Sequence, residues 1–78
     1  MEQRLLKSKR VLKGFTQEQI ASKIGMNTKS YNLKENGKNR FSLEEVARIS
    51  EALKLTLEEV NDIFLHIKLP KGNKSRGV

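Results

Sequence analysis

Four residues close together can recognise the edges of nucleic-acid bases: Thr28, Lys29, Asn32 and Leu33. A lysine can donate to guanine O6 and N7, and an asparagine can pair with adenine or a phosphate. A threonine or leucine can lie against a thymine methyl group. Covalent chemistry has far less to work with. His66 is the only histidine, Asp62 the only aspartate, and there is no cysteine. No Gly-rich phosphate loop is present, and most glutamates sit where a structural role is sufficient. The residues favour recognition and argue against an enzyme, a metal site or a bound cofactor.

Recognition needs a rigid frame, and the stretch TQEQIASKIGMNTKSYNLKENG, residues 16–37, supplies one. Ile20, Ala21 and Ile24 lie at i, i+1 and i+4, one face of a helix. Gly25 stops that helix, because glycine takes the left-handed conformation after a helix end without steric cost. Met26 plugs the corner, and Asn27 can cap a second helix through its side-chain oxygen. Tyr31 and Glu35 share one face of that second helix, and Asn36-Gly37 ends it. Ala21 matters by being small, since two helices crossing steeply over a short turn must approach closely. The exposed face near the start of the second helix then carries Asn27, Thr28, Lys29, Asn32 and Leu33. Gln17, in the first turn of the first helix of the pair, has an amide side chain beside unpaired backbone N–H groups, and both can hold a phosphate.

Around this core the chain reads as one small domain. It has 78 residues, 36% of them apolar, and a formal net charge of +7. Residues 1–40 hold ten Lys/Arg against three Glu, and residues 41–65 hold two Lys/Arg against six acids. A basic front and an acidic back is the distribution expected of a module that faces nucleic acid. No apolar run approaches the ~20 residues of a membrane span, and the start lacks the apolar core of a signal peptide. A cytoplasmic location is expected. Leu5, Leu6 and Leu12, with Val11 beside them, are the expected apolar cover of a helix over residues 3–13, which Gly14 closes before Phe15 re-enters the core. Lys9 interrupts that cover, and Arg4, Lys7 and Lys13 are expected in solvent. Thr16-x-x-Gln19, Ser42-x-x-Glu45 and Thr56-x-x-Glu59 each match a capping box and mark three helix starts. Val46, Ala47, Ile49 and Leu53 are the expected inward residues of the fourth helix, and Val60, Ile63 and Phe64 of the fifth. Five short helices around one core make an all-α domain over residues 1–65. Residues 66–78 form a basic tail that Pro70 bars from helix and whose composition reads as disordered. Across its start Leu65, Ile67 and Leu69 alternate with His66 and Lys68, either as a short extended segment pairing across a dimer or as a frayed helix end.

Arg10, Gly14-Phe15-Thr16-Gln17, Ile20-Ala21, Gly25 and Glu35-Asn36-Gly37 together resemble the helix-turn-helix of the Cro/C1-type (XRE-like) repressor family, over about residues 4–65. The run YNLKENGKNRFSLEE looks most like small phage- and prophage-borne members. The resemblance implies a five-helix, lambda-repressor-like domain whose second and third helices form the DNA-reading unit. It implies that Gln17 holds a phosphate, that Arg10 and Glu35 pair to orient the reading helix, and that Arg10 can also touch phosphate. It implies base contacts from Thr28, Lys29 and Leu33, with Asn32 on a base or a phosphate. Asn27 joins the backbone contacts. The segment Asn36, Gly37, Lys38, Asn39, Arg40 is expected to cross the sugar-phosphate chain with backbone amides as donors. Related proteins bind as two-fold dimers on half-sites ~34 Å apart. The dimer surface is expected around Phe64, Leu65, Ile67 and Leu69. Double-stranded DNA is thus the expected partner, with a toxin or a second repressor as the alternative.

One position departs from the family pattern: Lys34 stands where an apolar residue usually precedes the Glu of E-N-G. Either Lys34 lays its stem on the core with its charge outside, or the helix is turned so that Leu33 packs. In the second case Leu33 is not a base reader.

Overall fold

The computed structural model describes residues 1–66, which form helices joined by short turns, with no strand among the described residues. In chain order they are α1 (Gln3–Leu12), α2 (Gln17–Lys23), α3 (Thr28–Glu35), α4 (Leu43–Leu53) and α5 (Leu57–Val60). α5 runs on through one π-helical turn, Asn61–Leu65. The expectations for Ile67, Leu69 and the basic tail fall outside the described residues.

The helix starts are chemical. Thr16, Ser42 and Thr56 each accept a hydrogen bond from the backbone N–H three residues on, and Gln19, Glu45 and Glu59 each accept one from the cap's own N–H. Each box satisfies two donors that a helix end would otherwise leave bare. Asn27 caps α3 alone, its Oδ1 accepting from Ser30 N at 2.7 Å.

The turn between α2 and α3 depends on Gly25 at φ +75. With Gly25 in that conformation, its N–H reaches Ser22 O at 3.2 Å and the Met26 N–H reaches Ala21 O at 2.8 Å. Those two bonds close the end of α2 and turn the chain within three residues. α4 ends with the same pair of bonds, from Lys54 N–H to Glu51 O and from Leu55 N–H to Ser50 O, but with a lysine at φ 53. A side chain in the left-handed region costs roughly 1–2 kcal/mol. Lys54 is exposed and carries no ion pair among the described residues. Lys54→Gly is therefore expected to stabilise the fold by about 1 kcal/mol, a rise of about 4–8 °C in Tm for a domain of this size. A thermal melt with an unchanged midpoint would show that Lys54 bears no such strain.

The core comprises Leu6, Ile20, Ala21, Ile24, Tyr31, Ile49, Leu53 and Ile63, with Leu5, Phe15, Met26, Phe41, Ala52, Leu55 and Phe64 packed against it. Ala21 is fully buried where α2 meets α3, as its size requires. Phe41 joins Tyr31 and Phe64 in a row of tilted and edge-on rings, each neighbouring pair 5.8 Å between centroids. Three expectations fail on helix phase. Val11 is 59% exposed and Leu12 76% exposed, because the inward face of α1 belongs to Leu6 and Arg10, one turn apart. Ala47 is exposed, because Ile49 and Leu53 set the buried side of α4 and Ala47 falls opposite them. Val46, Val60 and Phe64 are half-buried.

Candidate nucleic-acid interface

α3 presents two different faces. Tyr31 and Glu35, one turn apart, point inward and are buried. Thr28 and Lys29, in the first turn, point outward and are exposed. What holds the outward face in place is a polar network behind the inward one.

Glu35 is 1% exposed and accepts four hydrogen bonds. Arg10 grips it with two nitrogens, Nε to Oε2 at 2.7 Å and Nη2 to Oε1 at 3.2 Å. Gln17 Nε2 donates to Oε1 and the Tyr31 hydroxyl donates to Oε2, both at 2.8 Å. Arg10 Nη1 donates to Phe15 O at 2.6 Å, so every guanidinium nitrogen has an acceptor inside the protein. The chain of bonds extends outward from Gln17, whose Oε1 accepts from Asn32 Nδ2 at 2.8 Å. One carboxylate thereby ties α1, α2 and α3 together. Burial pushes the Glu35 carboxyl up, but the hydrogen bonds from Arg10, Gln17 and Tyr31 outweigh it and hold the group below its ordinary value. Burial, and then the bond to Glu35, raise the Tyr31 phenol. The bond to Glu35 raises the Arg10 guanidinium against the opposing effect of burial.

At the position that departs from the family pattern neither alternative holds alone, since Lys34 and Leu33 are both half-buried. The Lys34 ammonium lies between both oxygens of Glu45 at 2.8 and 3.0 Å, bridging α3 to the start of α4. Burial raises the Glu45 carboxyl, but the bonds from Lys34 and from the Ser42 backbone outweigh this and lower it. Lys9 pairs with one oxygen of Glu59, Oε2, which accounts for a cation on the half-buried side of α1. The Lys9 bond, then the Thr56 amide, lower the Glu59 carboxyl.

These directions set a pH window. Carboxyls lowered in the fold stabilise it above their ordinary value of 4.5, and that stabilisation is lost as pH falls below it. A phenol raised in the fold stabilises it below its ordinary value of 10.0, and that contribution is lost at higher pH. Urea midpoints are expected to be flat between these limits and to drop on either side. The acid limb should be blunted in Glu35→Gln, and an unchanged acid limb in that variant would remove Glu35 as its cause.

The other expected contacts are arranged as follows. Gln17 is half-buried at the start of α2, and Asn32 lies against it, so the two act as a pair. Arg10 is 6% exposed and spends its donors on Glu35 and Phe15 O, inside the protein. Asn27, Asn36, Lys38, Asn39 and Arg40 are all exposed. The backbone amides of residues 36–39 are engaged in closing α3: Asn36 to Asn32 O, Gly37 to Lys34 O, and both Lys38 and Asn39 to Leu33 O. Those amides are therefore not free to act as the donors expected of this segment, which leaves its exposed side chains. Gly37, at φ +78, is overlaid by the Gln3 side chain, which leaves no room for a Cβ. Phe64 is half-buried and Leu65 is 45% exposed. Both line an open groove of about 400 Å³, together with Met1, Phe41, Leu43, Val46, Asn39 and Arg40.

Sequence reasoning from residue types alone misses the Tyr31 hydroxyl, the Gln17–Asn32 bond and the Lys34–Glu45 bridge. The one available signal was spacing: Tyr31 precedes Glu35 by four residues, which brings the two side chains together on a helix.

Among the described residues no helix is long and apolar enough to cross a membrane. A family profile described as helix-turn-helix matches residues 6–60. No curated protein and no solved structure matches the chain.

Proposed function

This chain belongs to the Cro/C1-type (XRE-like) helix-turn-helix family of DNA-binding transcription regulators, and from that premise we propose that it is a sequence-specific repressor of phage or prophage type, binding a two-fold symmetric operator as a dimer. The observation that carries this reading is the contrast within α3. Its inward face is fixed by the Glu35 network, while Thr28 and Lys29 stand exposed and without a side-chain partner among the described residues, at the end that enters a major groove. Gln17 and Asn32 flank them as a pre-oriented amide pair suited to a phosphate. Lys38, Asn39 and Arg40 add the cations and neutral donors of a backbone-tracking loop. The apolar groove at Phe64 and Leu65, with Leu43 82% exposed on its wall, is a surface that a second copy can cover. No observation favours a toxin or repressor partner over DNA at this face.

Selection from random duplex DNA at fixed, near-physiological salt tests the reading. Enrichment of a symmetric site with half-sites about one helical turn apart supports it. Salt-sensitive binding without enrichment would reduce it to a non-specific basic surface. On a selected site, Lys29→Ala is expected to lose ~1–3 kcal/mol of discrimination at one base pair in each half-site. Gln17→Ala is expected to weaken all sequences alike. A Lys29 variant with unchanged preference would remove it from the base readers.

A further inference from the structure

The outward face of α1 carries Arg4, Lys7, Ser8, Val11 and Leu12, spaced i, i+3, i+4, i+7 and i+8. That is one continuous helical stripe. These residues line a shallow, open depression of about 490 Å³. Val11 and Leu12 are its exposed apolar part. Arg4 and Lys7 are its charged part, and neither has a carboxylate partner among the described residues, whereas Lys9, Arg10, Lys34 and Arg48 each have one. The stripe lies on the opposite side of α1 from Leu6 and Arg10, which face the core and α3. It is thus turned away from Thr28 and Lys29.

We infer that this face docks an acidic amphipathic helix of a partner protein, and that it does so whether or not α3 is on DNA. Apolar side chains of the partner cover Val11 and Leu12, and its carboxylates meet Arg4 and Lys7. Charge complementarity chooses this occupant. A nucleic-acid backbone would satisfy the two cations but would leave the apolar pair facing phosphate. A second copy meeting this face by two-fold symmetry would set Arg4 and Lys7 against their own equivalents. An anionic membrane needs a broader apolar stripe than Val11 and Leu12 provide.

The test uses the full chain, isotope-labelled for NMR. The probe is a synthetic helix-forming peptide with leucines at i, i+3, i+4 and i+7 and glutamates between them. A control peptide carries lysines for glutamates. The glutamate peptide is expected to shift the amides of Arg4, Lys7, Ser8, Val11 and Leu12, and the lysine peptide is not. Arg4→Glu with Lys7→Glu should weaken the glutamate peptide by at least about tenfold. Both side chains are exposed and have no carboxylate partner among the described residues, so the fold is expected to survive, and a melt of the double variant checks this. A preformed complex with duplex DNA should bind the peptide as well as the free protein does. Equal binding of both peptides, shifts centred on α3, or an unaffected double variant would overturn the inference. So would displacement of the peptide by DNA, or tighter binding to anionic lipid vesicles than to the peptide. The peptide measurements on free protein do not depend on operator binding, so failure there is distinct from failure of the DNA reading.

Discussion

Glu35→Ala is expected to cost ~3–5 kcal/mol of stability, the range for breaking a buried ion pair by removing one partner. A domain of this length holds only ~4–12 kcal/mol in total, so the variant should lose a large fraction of its stability and unfold at a much lower urea midpoint. The size of the effect comes from what is left behind. Arg10, 6% exposed, keeps only its bond to Phe15 O, and the Tyr31 hydroxyl, fully buried, loses its acceptor. Gln17 loses the bond that fixes its amide. Arg10→Met should cost less, because Glu35 keeps two donors and can take up a proton. Combining Arg10→Met with Glu35→Met should recover part of the loss, since no buried charge remains. Urea unfolding followed by circular dichroism gives all three values. A Glu35→Ala loss within the ~0.5 kcal/mol of an ordinary surface change would mean that the network contributes nothing net to folding. The double variant separates stability from function: refolded but weak on DNA, it would identify orientation of α3 as the role of the pair.

Affinity for a selected operator should fall on the order of 10²-fold between 50 mM and 200 mM salt. In the proposed dimer Lys38 and Arg40 of each copy would neutralise about four phosphates, at a slope of about −0.9 per phosphate. These two side chains carry that effect because the neighbouring amides are engaged in closing α3. Lys38→Ala with Arg40→Ala should remove most of the slope while leaving base preference unchanged. A titration in which the double variant keeps the parent slope would move the phosphate contacts elsewhere on the basic front. Reversal of exposed charges on α5, such as Glu58→Lys, should leave the slope unaltered.

Local chemistry was readable from the chain. Three capping boxes, the Asn27 cap and the turn at Gly25 each depend on residues a few positions apart, and all are formed as their spacing dictates. The Arg10–Glu35 pair was legible only through the family resemblance, since nothing local links residues so far apart in sequence. Beyond that, side-chain direction decided the outcome. Apolar type alone sends Val11 and Leu12 inward, but Arg10 takes that face of α1 to reach Glu35, and the two apolar residues turn to solvent. Which way the Gln17 and Asn32 amides point depends on the crossing of α2 and α3, and no spacing encodes it. The same holds for Lys34 and Glu45, which meet only once α4 is in place.

The backbone N–H of Glu2 donates to Ile63 O at 2.7 Å, which stitches the start of the described fold to its last turn. Ends held this close are what circular permutation requires. A short linker from the region of His66 back to Met1, with the chain reopened at the exposed Gly14 turn, would keep α2 and α3 contiguous. It would leave the Glu35 network to assemble from pieces in a new order. Such a permutant would separate the connectivity of the reading unit from its geometry.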